Sequence, residues 1–141
     1  MKTTCGIAIV NRDRILLCHL TGVRGNGAWN VPKGLNEEYE DYLDTAIREV
    51  REETNLDLKG VRDQIGYVGS FNYRNTQKRL KLFLYESLEN IDMGSLKCES
   101  YTSGGFPEVD QYEMVPLDYV MKMAHHTSLD WLPVIKEALK K

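Results

Sequence analysis

Three glutamates are spaced so that a helix would bring them to one face. Glu49, Glu52 and Glu53 lie at i, i+3 and i+4, so helical geometry places their carboxylates side by side. The arrangement is unfavourable for the helix itself, because Glu49 and Glu53 repel each other and anions near a helix C-terminus oppose its dipole. Clustered carboxylate oxygens are ligands that Mg²⁺ and Mn²⁺ prefer. The spacing therefore predicts a divalent-metal site.

The residues around these glutamates predict an amphipathic helix that ends near Thr54. It would bury an apolar stripe of Leu43, Ala46, Ile47 and Val50. Asp41 is placed to cap its N-terminus. The ordinary alternative is a solvated charged face, in which Arg48 pairs with Asp44 and Glu52 at i, i+4 spacing. Those pairs would leave the three glutamates without a full set of cations, which favours the metal site.

The pattern extends beyond the helix and resembles the box of the Nudix family. Gly34 is followed after five residues by Glu40, and after seven more by a segment that begins at Arg48 and reads R-E-V-R-E-E-T-N-L. The Nudix box has the same spacing of glycine, glutamate and R-E-apolar-x-E-E-x-G-apolar. Its final glycine is Asn55 in this chain. Because Asn is the next-best residue for the left-handed conformation that ends a helix, we expect the helix to stop there.

The resemblance implies an α/β fold, an α/β/α sandwich around a mixed β-sheet, in a single domain over residues 1–141 with the box at 34–56. It also implies a Mg²⁺- or Mn²⁺-dependent hydrolase of pyrophosphate bonds in nucleoside diphosphate derivatives. By position, Glu49, Glu52 and Glu53 would bind the metal and help to activate water. Glu40 would be a supporting residue, and Arg48 would orient a glutamate through an ion pair. Which carboxylate is the general base stays open.

A second acidic segment, Pro107–Tyr112, precedes a predicted strand over 113–117. It is similar to the part of the family in which an acid four residues before an aromatic reaches back to the metals. By position this acid is Glu108, and Asp110 is the second choice. The alternative, that both are ordinary loop acids, is equally open.

The segment Trp29–Gly34 contains Pro-Lys-Gly and resembles the family branch that holds diadenosine tetraphosphate hydrolases. Lys33 would then meet substrate phosphate as a point charge. Three aromatic residues lie where relatives can hold a base, although each alone could be core: Phe71, Tyr73 and Tyr85. Three basic residues could form a patch for a polyphosphate, or be solvated: Lys78, Arg79 and Lys81. No role is predicted for His19, His125 or His126.

The rest of the chain reads as strands and turns, with a short helix predicted from Asp118 to about His125 and one more helix after it. β-type patterns cover 3–10, 14–20, 29–34, 65–73 and 79–88, with Leu80, Leu82 and Leu84 on one face of the last and Phe83 and Tyr85 on the other. Residues 21–28 are predicted to form a glycine-rich loop, and 74–77 a turn. A final amphipathic helix is predicted from Ser128. These elements do not alternate as βαβ units, which favours a mixed sheet.

Composition excludes several other classes of protein. The chain has 141 residues and a net charge of −3, so there is no global basic field for nucleic acid or membranes. Cys5, Cys18 and Cys98 lack a metal-binding spacing and read as reduced thiols of a cytoplasmic protein. No apolar run approaches the ~20 residues of a membrane span.

Several classes of substrate are compatible with these residues. A dinucleoside polyphosphate is preferred, because it would use Lys33, the aromatic residues and the basic residues together. A (d)NTP pyrophosphatase and an enzyme acting on RNA 5′ ends are the alternatives. Outside the enzymes, the alternative is a Nudix fold that binds a nucleotide without cleaving it. Because the glutamates of the box are all present, the hydrolase is favoured.

Overall fold

A mixed sheet forms the centre of the molecule. The structure, a computed structural model, describes residues 1–25, 27–74 and 76–140. Within these ranges one sheet has seven strands: β1 (Lys2–Asn11), β2 (Arg14–Leu20), β3 (Trp29–Asn30), β4 (Lys33–Leu35), β5 (Gly66–Asn72), β6 (Lys78–Glu86) and β7 (Val109–Pro116). β1 and β6 are parallel, and the other strand pairs are antiparallel. The predicted mixed sheet is confirmed.

Strands β1 and β2 pair only next to the turn that joins them and then separate. This separation leaves room for β4 beside β1, where the acidic face of α1 packs. β1 pairs with β2 near the turn, at Val10–Ile15. Further along, β4 pairs with β1, with Gly34 opposite Cys5. The prediction of one strand over 29–34 is therefore wrong: β3 pairs with β2 instead. The break falls at Pro32, which has no N–H to donate to a strand ladder.

A helix covers each face of the sheet, as the predicted sandwich requires. α1 (Tyr42–Thr54) and α2 (Ser128–Leu139) are the two α-helices of the described chain. α1 packs through Ala46, Ile47 and Val50 against Ile7, Ile9, Leu16 and Phe83. α2 packs through Trp131, Leu132 and Ile135 against a second cluster that contains Leu17, Leu80 and Leu82. Alternation along β6 thus places its leucines and Phe83 in opposite cores, as predicted.

α1 begins and ends at the residues that the sequence indicates. The side chain of Asp41 accepts hydrogen bonds from the backbone N–H groups of Leu43 and Asp44. At the other end, Asn55 is left-handed with φ 71°, and its N–H donates to the carbonyl oxygen of Arg51. Both ends of the helix are therefore capped.

The left-handed residue gives a stability prediction. Asn55→Gly is expected to leave the free energy of unfolding nearly unchanged, because glycine adopts this conformation without strain. Asn55→Val is expected to lower it by about 1–2 kcal/mol, because a β-branched residue is disfavoured there. Urea denaturation of the two variants measures the difference. A valine variant with the parent's unfolding midpoint would contradict the assigned helix end.

The C-terminal half differs from prediction in one element that matters for the site. β7 begins at Val109, four residues earlier than the predicted strand over 113–117. Asp110 therefore lies on the strand, whereas Glu108 immediately precedes it. Short 3₁₀ helices occupy Lys59–Gln64, Met93–Ser95 and Leu117–Lys122.

The loop predictions and the cysteines complete the fold. Asn26 of the predicted glycine-rich loop, Asn75 of the predicted turn and Lys141 lie outside the described residues. The three cysteines have free thiols and are buried. In the described part of the chain, no helix has the length and apolar character needed to cross a membrane.

Candidate active site

The acidic face of α1 is partly buried against the rest of the molecule. Glu49 is 8% exposed and Glu53 is 5% exposed, whereas the side chain of Glu52 is 39% exposed. Burying a carboxylate is unfavourable unless other groups compensate for lost hydration. The groups around each glutamate therefore indicate what this face can bind.

Arg48 organises the outer part of the face. Its Nε lies 2.8 Å from Glu40 Oε2, and its Nη2 lies 3.0 Å from Glu40 Oε1. Nη1 donates to Glu49 Oε1 at 2.9 Å and to Glu52 at 3.3 Å. The hydrogen bonds from Arg48 hold the pKa of Glu40 down, at about 2, with further help from the Thr45 hydroxyl. Arg48 therefore makes the predicted ion pair with a glutamate, and makes it with four, because Glu37 also lies 3.8 Å away.

This network corrects two details of the sequence analysis. Glu49 and Glu52 are not left without a cation, because both share Arg48. Of the two pairs in the ordinary alternative, Arg48–Glu52 is formed, whereas Asp44 accepts a hydrogen bond from Arg62 and does not pair with Arg48. A guanidinium can contact several carboxylates at once, so one arginine replaces the separate pairs expected from spacing.

Glu53 lies at the inner end of the face. Its Oε1 accepts a hydrogen bond from the backbone N–H of Lys33 at 3.0 Å. Burial raises the pKa of Glu53 to about 8, and the charges of Glu49 and Glu108 act in the same direction. The pKa of Glu49 is raised as well, first by burial and then by the charge of Glu52. Two buried carboxylates with raised pKa values are a common feature of functional sites.

Gly34 allows the Glu49 carboxylate to approach β4. A Cβ at this position would lie 1.9 Å from Glu49 Cδ and 2.0 Å from Oε2. No side chain fits in that space unless the carboxylate moves. A glycine is therefore needed at the start of the box because the Glu49 carboxylate packs closely against it.

The loop before β7 brings a further carboxylate towards this face. Burial is the main cause of the raised pKa values of Glu49 and Glu53, and the charge of Glu108 adds to it in both cases. Its backbone is held on two sides, by Ser100, whose carbonyl oxygen accepts at 2.8 Å, and by Thr21, whose N–H donates at 3.0 Å. The Tyr112 hydroxyl also donates to the Glu53 carbonyl oxygen and joins β7 to the last turn of α1.

Asp110, the other acid of this segment, is placed differently. Its Oδ1 lies 2.6 Å from Nδ1 of His19, and the His19 ring contacts Trp29 edge-on with centroids 5.0 Å apart. The carboxylate of Asp110 therefore contacts the His19 side chain of β2. Of the two candidate acids, Glu108 is the one whose charge acts on Glu49 and Glu53.

The carboxylates fit a divalent cation by their chemistry. Ionised carboxylates are hydrogen-bond acceptors only. Burial raises the pKa of Glu53, and the charges of Glu49 and Glu108 raise it further, so a cation bound in this cluster would stabilise the ionised form of Glu53. They do not form a finished cage: no three His, Cys, Asp or Glu side chains in the described ranges converge in a metal-binding arrangement. Arg48 holds oxygens of Glu49 and Glu52 instead. The residues that could hold the ion are therefore Glu49, Glu52 and Glu53, with Glu108 beside them.

A basic and aromatic surface lies next to the acidic face. We call this surface the Lys33 basin and define it by Lys33, Tyr73, Lys78, His125 and His126. Lys78 Nζ lies 4.8 Å from the centroid of the Tyr73 ring, and Lys33 Nζ lies 6.0 Å from it. The ring centroids of Tyr73 and His125 are 5.1 Å apart. Tyr73 itself is only 9% exposed, so it forms the wall under the two lysines.

No role was predicted from the sequence for the two histidines of the basin. Burial lowers the pKa of His125 to about 4, and the charge of His126 acts in the same direction. His126 Nε2 accepts a hydrogen bond from the backbone N–H of Arg74 at 3.0 Å. Their position follows from tertiary packing, which places the His125 and His126 ring centroids 5.1 Å and 6.2 Å from that of Tyr73.

The remaining predicted substrate residues are divided between the two faces of the sheet. Phe71 packs with the cluster that contains Tyr73, whereas Tyr85 packs with the cluster beneath α1. Arg79 donates to the Thr3 hydroxyl at 2.9 Å, and Lys81 lies over the ring of Tyr42 at 5.3 Å.

The predicted basic patch of Lys78, Arg79 and Lys81 is therefore wrong as a single surface. Successive side chains of a strand point to opposite faces. Lys78 belongs to the Lys33 basin, and Lys81 lies on the α1 side of the sheet. The alternation that correctly separated the leucines of β6 from Phe83 applies equally to its basic residues.

Comparison with known proteins identifies the family and the fold. A family model described as the NUDIX domain matches residues 2–134. A C. elegans Ap4A hydrolase in a binary complex has a TM-score of 0.73 and 20% identity, with 99% of this chain and 98% of that chain covered. A MutT NUDIX hydrolase from Burkholderia pseudomallei has a TM-score of 0.73 and 18% identity, with 95% and 97% covered.

A third similar structure contains a metal ion. It is a bifunctional NMN adenylyltransferase/ADP ribose pyrophosphatase from Francisella tularensis, complexed with AMP and a Mn ion, with a TM-score of 0.67 and 17% identity. The match covers 99% of this chain and 41% of that one. At these identities the three structures establish the fold alone, whereas the family model covers most of the sequence. The chain belongs to the NUDIX domain family.

Proposed function

We propose that the protein is a divalent-metal-dependent hydrolase whose preferred substrate is a dinucleoside polyphosphate. One observation carries this proposal: Lys33 belongs to both halves of the site. Its backbone N–H donates to the Glu53 carboxylate at 3.0 Å, while its ammonium lies 6.0 Å from the Tyr73 ring centroid. A phosphate chain on the Lys33 basin would therefore lie beside the acidic face of α1.

The carboxylates have the properties that hydrolysis of an anhydride needs. A divalent cation bound there would neutralise pyrophosphate oxygens and make water a better nucleophile at neutral pH. A carboxylate beside the attacking water then accepts its proton, which is general base catalysis. Glu53, at the inner end of the acidic face, and Glu108, on the loop before β7, are the two candidates for this role.

The Lys33 basin has the properties that an extended phosphate chain needs. Two ammonium groups, those of Lys33 and Lys78, lie within 6.0 Å of one aromatic ring. Burial lowers the pKa of Lys78, and the charge of Lys33 lowers it further, so a bound polyanion would relieve that repulsion. The rings of His125 and His126, with centroids 4.0 Å apart, add a wall beside the lysines. A base could stack on such a wall.

The substrate preference is tested with a panel of nucleotides in Mg²⁺, followed by identification of the products. We expect diadenosine tetraphosphate to be cleaved asymmetrically to ATP and AMP. A tenfold higher kcat/KM for the best (d)NTP, about 1.4 kcal/mol of transition-state discrimination, would overturn the preference and leave the hydrolase. Binding of the nucleotides without cleavage would favour the non-catalytic alternative.

Lys33 gives a prediction specific to this proposal. Lys33→Ala is expected to raise KM for the dinucleotide more than it lowers kcat, because an ammonium holds the phosphate chain in both the ground state and the transition state. Steady-state kinetics measure both parameters. Lys122→Ala, at an exposed lysine of the 3₁₀ helix Leu117–Lys122, is the control and should change neither. A fall in kcat with unchanged KM would contradict this role.

A further inference from the structure

A second concave surface lies on the α1 side of the sheet, beside the site described above, with which it shares Glu40. It is a pocket of about 710 Å³ between the start of α1 and strands β5 and β6. We call it the Tyr67 recess and define it by Tyr42, Tyr67, Lys81 and Phe83. Pockets that bind small molecules commonly have volumes of about 300–1,000 Å³. Tyr42 precedes Glu49 by seven residues, roughly 10 Å along a helix, so the recess is separate from the buried carboxylates.

The recess presents aromatic rings to solvent. Tyr67 is 56% exposed and Tyr42 is 38% exposed. The ring of Tyr67 contacts that of Phe83 edge-on, with centroids 5.3 Å apart. The buried Phe83 thus supports the Tyr67 ring and leaves much of it accessible. An exposed, supported ring is a surface on which another flat ring can stack.

The recess also contains an ammonium group that is available to an anion. Lys81 Nζ lies 5.3 Å from the Tyr42 ring centroid and 6.0 Å from that of Tyr67. Over residues 1–25, 27–74 and 76–140, the ion pairs within 4.0 Å do not include Lys81.

The carboxylates in the wall of the recess are occupied by other partners. Both oxygens of Glu40 accept hydrogen bonds from Arg48. Asp41 caps α1 through Oδ1, and its Oδ2 lies 3.6 Å from Arg62. Neither acid of this wall therefore neutralises Lys81, and its charge is left for a ligand.

We propose that the Tyr67 recess is a second nucleotide-binding site, which takes a nucleobase against its tyrosines and a phosphate on Lys81. An aromatic face and an ammonium in one wall complement a base and its phosphate. The nucleotide could be the second nucleoside unit of a long substrate or a free nucleotide. Binding at the recess does not depend on hydrolysis at α1.

The test is titration of the protein with AMP in EDTA, followed in the parent through the NMR resonances of the Tyr67 ring and in every protein by isothermal titration calorimetry. We expect AMP to shift these resonances, and Tyr67→Ala and Lys81→Met to weaken binding about tenfold. The matched controls are Tyr119→Ala and Lys122→Ala, because Lys122 Nζ lies 5.4 Å from the Tyr119 ring in the same kind of contact elsewhere. The controls should bind AMP like the parent.

Two further ligands separate the parts of the recess. Lys81→Met should leave the binding of adenosine unchanged, and Tyr67→Ala should leave the binding of inorganic phosphate unchanged. Lys81→Met keeps an apolar side chain of similar length, so it should not destabilise the fold. If Tyr67→Ala melts at a lower temperature than the parent, AMP binding by Lys81→Met therefore tests the proposal. Unshifted Tyr67 resonances, or equal AMP binding by the parent and both recess variants, would overturn the proposal.

Kinetics distinguish the two sources of the nucleotide. If the recess holds the second nucleoside of the substrate, the recess variants raise KM for diadenosine tetraphosphate and leave KM for ATP unchanged. If it holds a free nucleotide, they weaken AMP binding and leave both KM values unchanged. A protein that hydrolyses no nucleotide would refute the proposed function, and the binding test would still decide the fate of the recess.

Discussion

Glu53→Gln is expected to lower turnover of the preferred nucleotide on the order of 100-fold or more, the range seen when a general acid–base group is lost. The variant keeps an oxygen that can accept the Lys33 N–H, so the local structure is retained while the negative charge is removed. Initial rates at saturating substrate and Mg²⁺ measure the loss. Glu113→Gln, at an exposed residue of β7, is the control and should retain the parent's rate. Near-parental turnover by Glu53→Gln would contradict the assignment of Glu53.

The same variant should change how metal-free stability depends on pH. The pKa of Glu53 is raised from 4.5 to about 8 in the folded protein. The folded state therefore binds this proton more tightly, and its stability falls as pH rises from about 4.5 to about 8. One pKa unit corresponds to about 1.4 kcal/mol, so the loss is on the order of several kcal/mol.

Glu53→Gln removes this loss, because glutamine does not ionise. In EDTA, the variant should unfold like the parent near pH 4.5 and at a higher denaturant concentration near pH 8. The exposed Glu137→Gln is the control and should follow the parent at both pH values. Equal stability of Glu53→Gln and the parent at pH 8 would show that the buried carboxylate carries no such penalty.

Gly34→Ala is expected to lower activity about 10- to 100-fold, the range found when the support of a metal ligand is disturbed. The added Cβ would lie 1.9 Å from Glu49 Cδ, so the carboxylate has to move. The side chain can rotate, whereas the backbone conformation of residue 34 is open to alanine. We therefore expect a loss of activity and metal affinity that is much larger than the loss of stability.

Two comparisons make this prediction specific. Gly60→Ala is the matched control, because a Cβ at Gly60 has no heavy atom within 4 Å, and it should retain activity. In the Glu49→Gln background, adding Gly34→Ala should cost little more, because the two changes affect one carboxylate. Additive losses would show that Gly34 acts on something other than Glu49.

Local sequence signals predicted the central helix well. Asp41 and Asn55 mark its two ends in the structure because capping depends on residues adjacent in the chain. The period of the apolar residues also predicted which face of α1 packs on the sheet. The spacing of the glutamates identified the acidic face for the same reason.

Contacts between distant segments do not follow from local spacing, and only the resemblance to the family indicated the roles of Arg48 and Glu108. Arg48 binds Glu40 across the start of the helix, and Glu108 approaches α1 where Tyr112 joins β7 to its last turn. The histidines lie beside Tyr73 only because their segment packs there. Lys78 and Lys81 lie on opposite faces for a reason that the sequence does contain, because side chains alternate along a strand.

The most direct test of the central proposal is hydrolysis of diadenosine tetraphosphate in ¹⁸O-labelled water, with product masses measured in Mg²⁺ and in EDTA. We predict ATP and AMP as products, with one labelled oxygen incorporated per cleavage. EDTA should abolish the reaction, and excess Mg²⁺ or Mn²⁺ should restore it. Cleavage at the same rate in EDTA, or no cleavage of any nucleoside diphosphate derivative with either ion, would contradict the proposal that the carboxylates of α1 support metal-dependent hydrolysis.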